Sequence, residues 1–303
     1  VEAKDAPPRA WPLRRFAELA GEDGPDAAMD AAAAALLARH GETAPPVGLR
    51  RLWEGFGADK VWADRAGPHG RLDVVDGRYR IVVNREQAWR RQRFTIAHEL
   101  GHVILFEALQ DEPEALRAVA AAEHWKDVER LCDRAASRLL LPRAHLARAL
   151  TAEPLTDGRL RRLYDDYLVS WPVLLRGIAE AGQSSVSVWT RSRRHDREPY
   201  APRVAAAYSW PGGPFLPQGM TCKHVAPDLV TRCYASGEPS RGDASVDVNG
   251  RAVVAGPAVA LPWAAPARVP EFQGMPVPDE RIRPWDVVLV VGPAARAAPP
   301  AGR

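Results

Sequence analysis

His98-Glu99-Leu100-Gly101-His102, set in an apolar run without proline, constrains this chain more than any other stretch. The run 87–106 is compatible with a single helix. On a helix, side chains at i and i+4 stand one above the other on one face. His98 and His102 can therefore offer two imidazole nitrogens to one ion. Zinc takes such nitrogens at about 2.0–2.1 Å and completes a tetrahedron with further ligands. Glu99 falls beside the ion rather than on it, where a base takes a proton from water held there. A chance occurrence of H-E-x-x-H is the bland alternative, and the helical setting argues against it. One Zn2+ per chain is the expectation.

Two histidines need a third protein ligand, leaving one position open. The next long helical segment places apolar residues at 128, 131, 132, 135, 136, 139 and 140, and Pro142 stops it. Glu129 falls close to that stripe, where a carboxylate is costly unless paired or metal-bound. Asp133, one turn on, can accept the other ring N–H of a ligating histidine and fix its tautomer. The bland alternative makes both acids surface charges that pair with Arg134 and Arg138. Cys132 is the rival ligand, although a lone Cys in such a helix is usually core.

The rest of the chain sets bounds. Its 303 residues suffice for two or three domains, and 46% hydrophobic content allows a packed core. A net charge of +3 is too small to argue for nucleic acid. Cys132, Cys222 and Cys233 make no disulfide framework, so a reducing cytosol is expected. No apolar run approaches a membrane span, and residues 1–10 carry no signal-peptide core. Residues 1–25 read as a flexible lead-in. Residues 26–40 read as a helix with Asp26 near its N-cap and Gly41 past its end.

Residues 72–75 and 78–84 read as two strands around Asp76-Gly77, a strong hairpin signal. If the second strand lies at a sheet edge, its backbone at Ile81, Val82 and Val83 can pair with an extended peptide substrate. The acidic stretch 107–125 reads as a loop plus a short helix that could cover the cleft. Within it, His124 is a candidate transition-state donor. Residues 157–167 and 173–181 read as helix–turn–helix, with Ser170 as N-cap and Pro172 in the first turn. The second helix offers Arg176 as its only cation, poor equipment for phosphates. Strand signals come at 185–190, 204–208, 252–261 and 287–291, separated by Pro/Gly loops and, at 191–197, by a basic turn. Cys222, His224 and Cys233 are too sparse to read as a second metal site.

Residues 91–102, together with Glu129, Cys132-Asp133, Ala136 and Leu139-Leu140-Leu141-Pro142, resemble the ImmA/IrrE family of zinc metallopeptidases. The strand 80–84 is similar to the family's strand before its metal helix. Asp133 stands where Asn is frequent and Leu141 where Met is. The chain from 151 onward resembles, more weakly, the longer IrrE-type architecture. The resemblance implies an α+β chain with a zincin-like metallopeptidase domain at 26–150, a helix-turn-helix-like segment at 151–183 and a β-rich, GAF-like sensor domain at 184–303. It also implies a cytoplasmic, gluzincin-like zinc endopeptidase. His98, His102 and Glu129 would be its ligands, Glu99 its base and Asp133 the partner of a ligand. The implied substrate is a helix-turn-helix repressor of the xenobiotic-response-element type, cut to derepress stress-response or mobile-element genes. A non-catalytic anti-repressor or antitoxin-like partner, and a DNA-binding regulator using residues 157–182, remain the alternatives.

Overall fold

The computed structural model describes residues 11–63, 70–121, 124–191, 202–209, 225–226, 228–248, 251–263, 271–272, 275–276 and 286–292. The architecture is mixed α and β, and the chain divides into two compact units, Val1–Pro142 and Arg143–Arg303. The first holds α1 (Trp11–Ala20), α2 (Pro25–Arg39), α3 (Leu49–Gly55), β1 (Asp59–Ala63), β2 (Arg71–Val75), β3 (Arg78–Asn84), α4 (Trp89–Ala108), α5 (Pro113–Val119) and α6 (Trp125–Leu140).

Two expectations are corrected here. The flexible lead-in 1–25 holds the helix α1, which buries Leu13, Phe16 and Ala17. Those three positions follow the helical period, and Pro12 suits a first turn. Arg14, Arg15 and Glu18 between them mask so short a stripe. The second correction concerns the substrate strand. β3 is not an edge: β1 pairs with it in parallel and β2 antiparallel, in the order β1-β3-β2. Ile81, Val82 and Val83 are buried and their backbone is flanked on both sides. Among the described residues, the open edge nearest α4 belongs to β2. The hairpin itself forms as its sequence demands. Asp76 and Gly77 take φ of 51° and 71°, the paired positive values of a type I′ turn.

α4 and α6 pack at close range, and Gly101 is the reason. A Cβ there would stand 2.9 Å from both Cys132 Cα and Ala135 Cβ, so any side chain would push the helices apart. The far side of α6 is tied to α2. Arg134 Nη2 and Nε each meet Asp30 at 2.7 Å, and Arg138 Nε meets it at 2.8 Å. Arg130 Nη1 donates to Asp26 at 2.9 Å. Arg134 and Arg138 thus face away from Glu129 and Asp133, which removes the ion pairs that would have made those acids ordinary surface charges.

The second unit holds α7 (Arg143–Ala152), α8 (Asp157–Tyr167), α9 (Trp171–Ala181), β4 (Ser185–Arg191), β5 (Pro202–Tyr208), β6 (Val225–Ala226), α10 (Leu229–Ser236), β7 (Ser240–Val248), β8 (Arg251–Trp263), the two-residue strands β9 (Glu271–Phe272) and β10 (Met275–Pro276), and β11 (Asp286–Val291). Thr156 caps α8 by accepting from Arg159 N at 3.0 Å, and Leu168, at φ 54°, ends it. α9 buries Trp171, Leu174, Leu175 and Ile178, and Tyr164 stacks on Trp171 at 4.1 Å. Six strands form an antiparallel sheet in the order β5-β4-β11-β8-β7-β6. Its core gathers Trp189, Val204, Leu229, Cys233, Val246 and Leu289. Burial pushes the Cys233 thiol up to about 12. Cys222, His224 and most of the basic turn lie outside the described residues. No described helix is long and apolar enough to cross a membrane.

Candidate metal centre

Near the middle of α4, one turn apart, His98 and His102 face α6 with ring centroids 5.1 Å apart. Glu129, on the second turn of α6, reaches both. Its Oε2 lies 3.3 Å from His98 Nε2 and its Oε1 3.2 Å from His102 Nε2. One donor atom from each of the three residues falls within 4.8 Å of the other two. Glu129 Oε1 is buried and has no hydrogen-bond donor in line with it. Three Lewis-basic atoms turned toward one point, one of them without a hydrogen bond, are what an ion completes. Two imidazoles and one carboxylate are the donor set of open catalytic zinc sites, so the residues fit a metal of that kind.

The surroundings tune each group. His98 Nδ1 lies 2.9 Å from Asp133 Oδ1. A proton on Nδ1 donated to that carboxylate leaves Nε2 free to ligate. Burial lowers the His98 pKa, but the Asp133 hydrogen bond and the charges of Glu99 and Glu129 outweigh it, so the net direction is up. The His102 ring holds the Glu129 carboxyl below its ordinary range, against the cost of burial. Glu99 is 5% exposed. Burial pushes its carboxyl up, Glu129 and Asp73 add to that, and His102 and His98 oppose it. A carboxylate so raised is a stronger base than one in water. Cys132, the rival ligand, is fully buried against Gly101 and stands outside the triad. Burial drives its thiol pKa far up, which keeps it protonated and a poor ligand.

The triad opens on a cleft of about 660 Å³ lined along α4 by Arg91, Phe94, Thr95, His98, Glu99, His102 and Phe106. Gly70, Arg71 and Leu72 of the β2 side and Trp125, Glu129 and Asp133 of α6 complete it. Gly70 is required where it stands, since a Cβ would lie 2.6 Å from Val82 O and 2.4 Å from Thr95 Cγ2. Glu99, Glu129 and Asp133 meet at this cleft. His124, the candidate transition-state donor, does not line it and is buried at the start of α6. Its neighbour Trp125 lines the cleft instead. Gly70, Phe106 and Trp125 escaped sequence reasoning. The spacing held a signal for two of them: Phe106 follows His102 by four residues and Trp125 precedes Glu129 by four, so each shares a ligand's helix face.

The peptidase M78 family model, described as the IrrE N-terminal-like domain, matches residues 54–174. That match is consistent with the ImmA/IrrE family. The IrrE-like stretch includes the triad, Glu99, Asp133 and every other residue lining the cleft, and it bears out the resemblance carried by the two helical motifs. Among solved structures, a Mycobacterium tuberculosis transcriptional regulator is similar at 14% identity, covering 94% of this chain and 81% of that one, with a TM-score of 0.49. A search of curated proteins finds no match.

Proposed function

We propose that this chain is a zinc-dependent endopeptidase that cuts a helix-turn-helix repressor of the xenobiotic-response-element type. The observation that carries the reading is a buried carboxylate of raised pKa, Glu99, beside three converging ligand groups that line one cleft. The substrate class comes from the ImmA/IrrE family resemblance, and so does derepression of stress-response or mobile-element genes in the cytoplasm. From Arg91 to Phe106 the cleft face of α4 runs about 22 Å at ~1.5 Å per residue. That length suits about six or seven residues of extended peptide at ~3.3 Å each. The outer edge of β2 is the natural backbone partner for such a segment.

His98, His102 and Glu129 would hold the ion, with Asp133 fixing the His98 tautomer. Zinc bound there supplies a Lewis acid and brings the pKa of water toward ~7. Glu99 takes a proton from the attacking water and returns it to the leaving nitrogen. A sensor-like, GAF-like role for the second unit comes from the family resemblance, and α8–α9, with the apolar face of α9 buried, are read as a structural or partner-docking module.

The test is Glu99→Gln. The amide is nearly isosteric and leaves all three ligands in place, yet it accepts no proton at neutral pH. Zinc-loaded protein is incubated with a candidate helix-turn-helix repressor of that type, and fragments are followed by mass. One specific cut by wild type, slowed about 10²–10⁴-fold in the variant, is the expected result. Equal cutting by both proteins sinks the mechanism. Equal relief of repression by both, with no fragments, gives the function to the stoichiometric anti-repressor instead.

A further inference from the structure

We propose that the end of the cleft beyond His102 is an apolar subsite, walled by Phe106 and Trp125, that takes a large aliphatic or aromatic substrate side chain beside the bond being cut. This rests on the peptidase reading above. Both helices that carry ligands continue the ligand face by one turn and place an aromatic there. On α4, Phe106 follows His102 by four residues, and the two rings stand 6.1 Å apart at 43°. On α6, Trp125 precedes Glu129 by four residues, and its ring stacks across His102 at 6.3 Å and 24°. The two walls thus converge on the same ligand ring. Leu72, from β2, lines the same cleft.

Trp125 remains 54% exposed. An indole left that open at the rim of a concave site retains an apolar face for a ligand. The charges lining the cleft are engaged elsewhere. Glu99 and Glu129 belong to the centre, Asp133 holds His98, and Arg71 pairs with Asp73 at 2.9 Å. Arg91 lies over Phe94, near the opposite end of the α4 face. A charged side chain entering between Phe106 and Trp125 would lose water and gain no counter-ion from the lining. An apolar one covers two aromatic faces and costs nothing of that kind.

The experiment titrates the zinc-loaded full chain by calorimetry with two probes: acetohydroxamic acid, which has no side chain to place, and the hydroxamate of N-acetylphenylalanine. Wild type should prefer the second. In Trp125→Ala the ratio of the two affinities should fall about tenfold, and Trp125→Phe should restore most of it. An unchanged ratio in Trp125→Ala overturns the subsite. Equal weakening of both probes overturns it too, because Trp125 would then serve only to hold His102. Binding of neither probe to zinc-loaded wild type overturns the subsite together with the open metal centre. A chain that shows the ratio change but cuts no repressor keeps the subsite and loses only the substrate named above.

Discussion

The two units solve opposite problems. The first brings polar groups inward: Glu99, His98, His102 and Glu129 converge on one cleft, and Asp30, Arg134 and Arg138 lock the helix behind it. The second builds a largely apolar interior, in which Ser184, Ser185 and Ser187 are small buried polar exceptions. Trp189, Cys233 and the aliphatic residues of β11 fill its core, and its backbone polar groups are satisfied within an antiparallel sheet. Among the described residues, the only group of side chains able to share an ion lies in the first unit. A cluster of polar groups needs rigid walls, because each partly buried charge is costly unless its partner stays in place. Close helix packing at Gly101 and the α2–α6 ion pairs supply those walls.

The contrast breaks most readily at Asp30. Asp30→Ala removes the shared partner of Arg134 and Arg138, two guanidiniums largely withdrawn from water. A loss of about 3 kcal/mol in unfolding free energy is expected, with weakened metal binding because α6 carries Glu129. Urea titration read by fluorescence, with zinc release followed in parallel, checks it. A loss under about 0.5 kcal/mol, the range of exposed pairs, would show that the helix is held by its apolar face alone.

A smaller effect belongs to the second unit. The Tyr234 hydroxyl donates to Trp189 O at 2.6 Å, joining α10 to β4. Tyr234→Phe should cost about 1 kcal/mol and leave zinc content at the wild-type level. The same titration and metal measurement apply. A fall in zinc content would mean that the metal centre depends on the packing of the second unit, and that the two are not separately built.

Much of the first unit was legible because local patterns decide it. The two histidines at helical spacing, the stripe running to Pro142 and the Asp76-Gly77 turn each fix their own conformation. What failed needed long-range information. Whether β3 is central depends on β1, and Asp-Lys-Val-Trp-Ala carries no clean alternation to announce a parallel partner. In the second unit β7 was missed because Ser240, Gly242, Asp243 and Ser245 read as loop; among its described side chains Ala244 and Val246 are the buried ones. α10 was missed despite two readable ends: Asp228 accepts from Thr231 N at 2.9 Å, and Gly237 closes it at φ 71°. Eight residues between them are too few for a periodic stripe. His124 and Trp125 show the finer limit. One residue of helical rotation, about 100°, decides which of them enters the cleft, and only counting back four residues from Glu129 selects Trp125.

Metal content tests the central claim most directly. Wild type, Glu129→Ala and Cys132→Ala are loaded with zinc, dialysed and assayed for ion per chain. Wild type should hold close to one. Cys132→Ala should hold the same, because that thiol is turned into the core. Glu129→Ala should lose most of its metal, having kept two ligands of three. Zinc retained by Glu129→Ala at the wild-type level, or lost equally by both variants, would contradict the triad and with it the catalytic reading built on it.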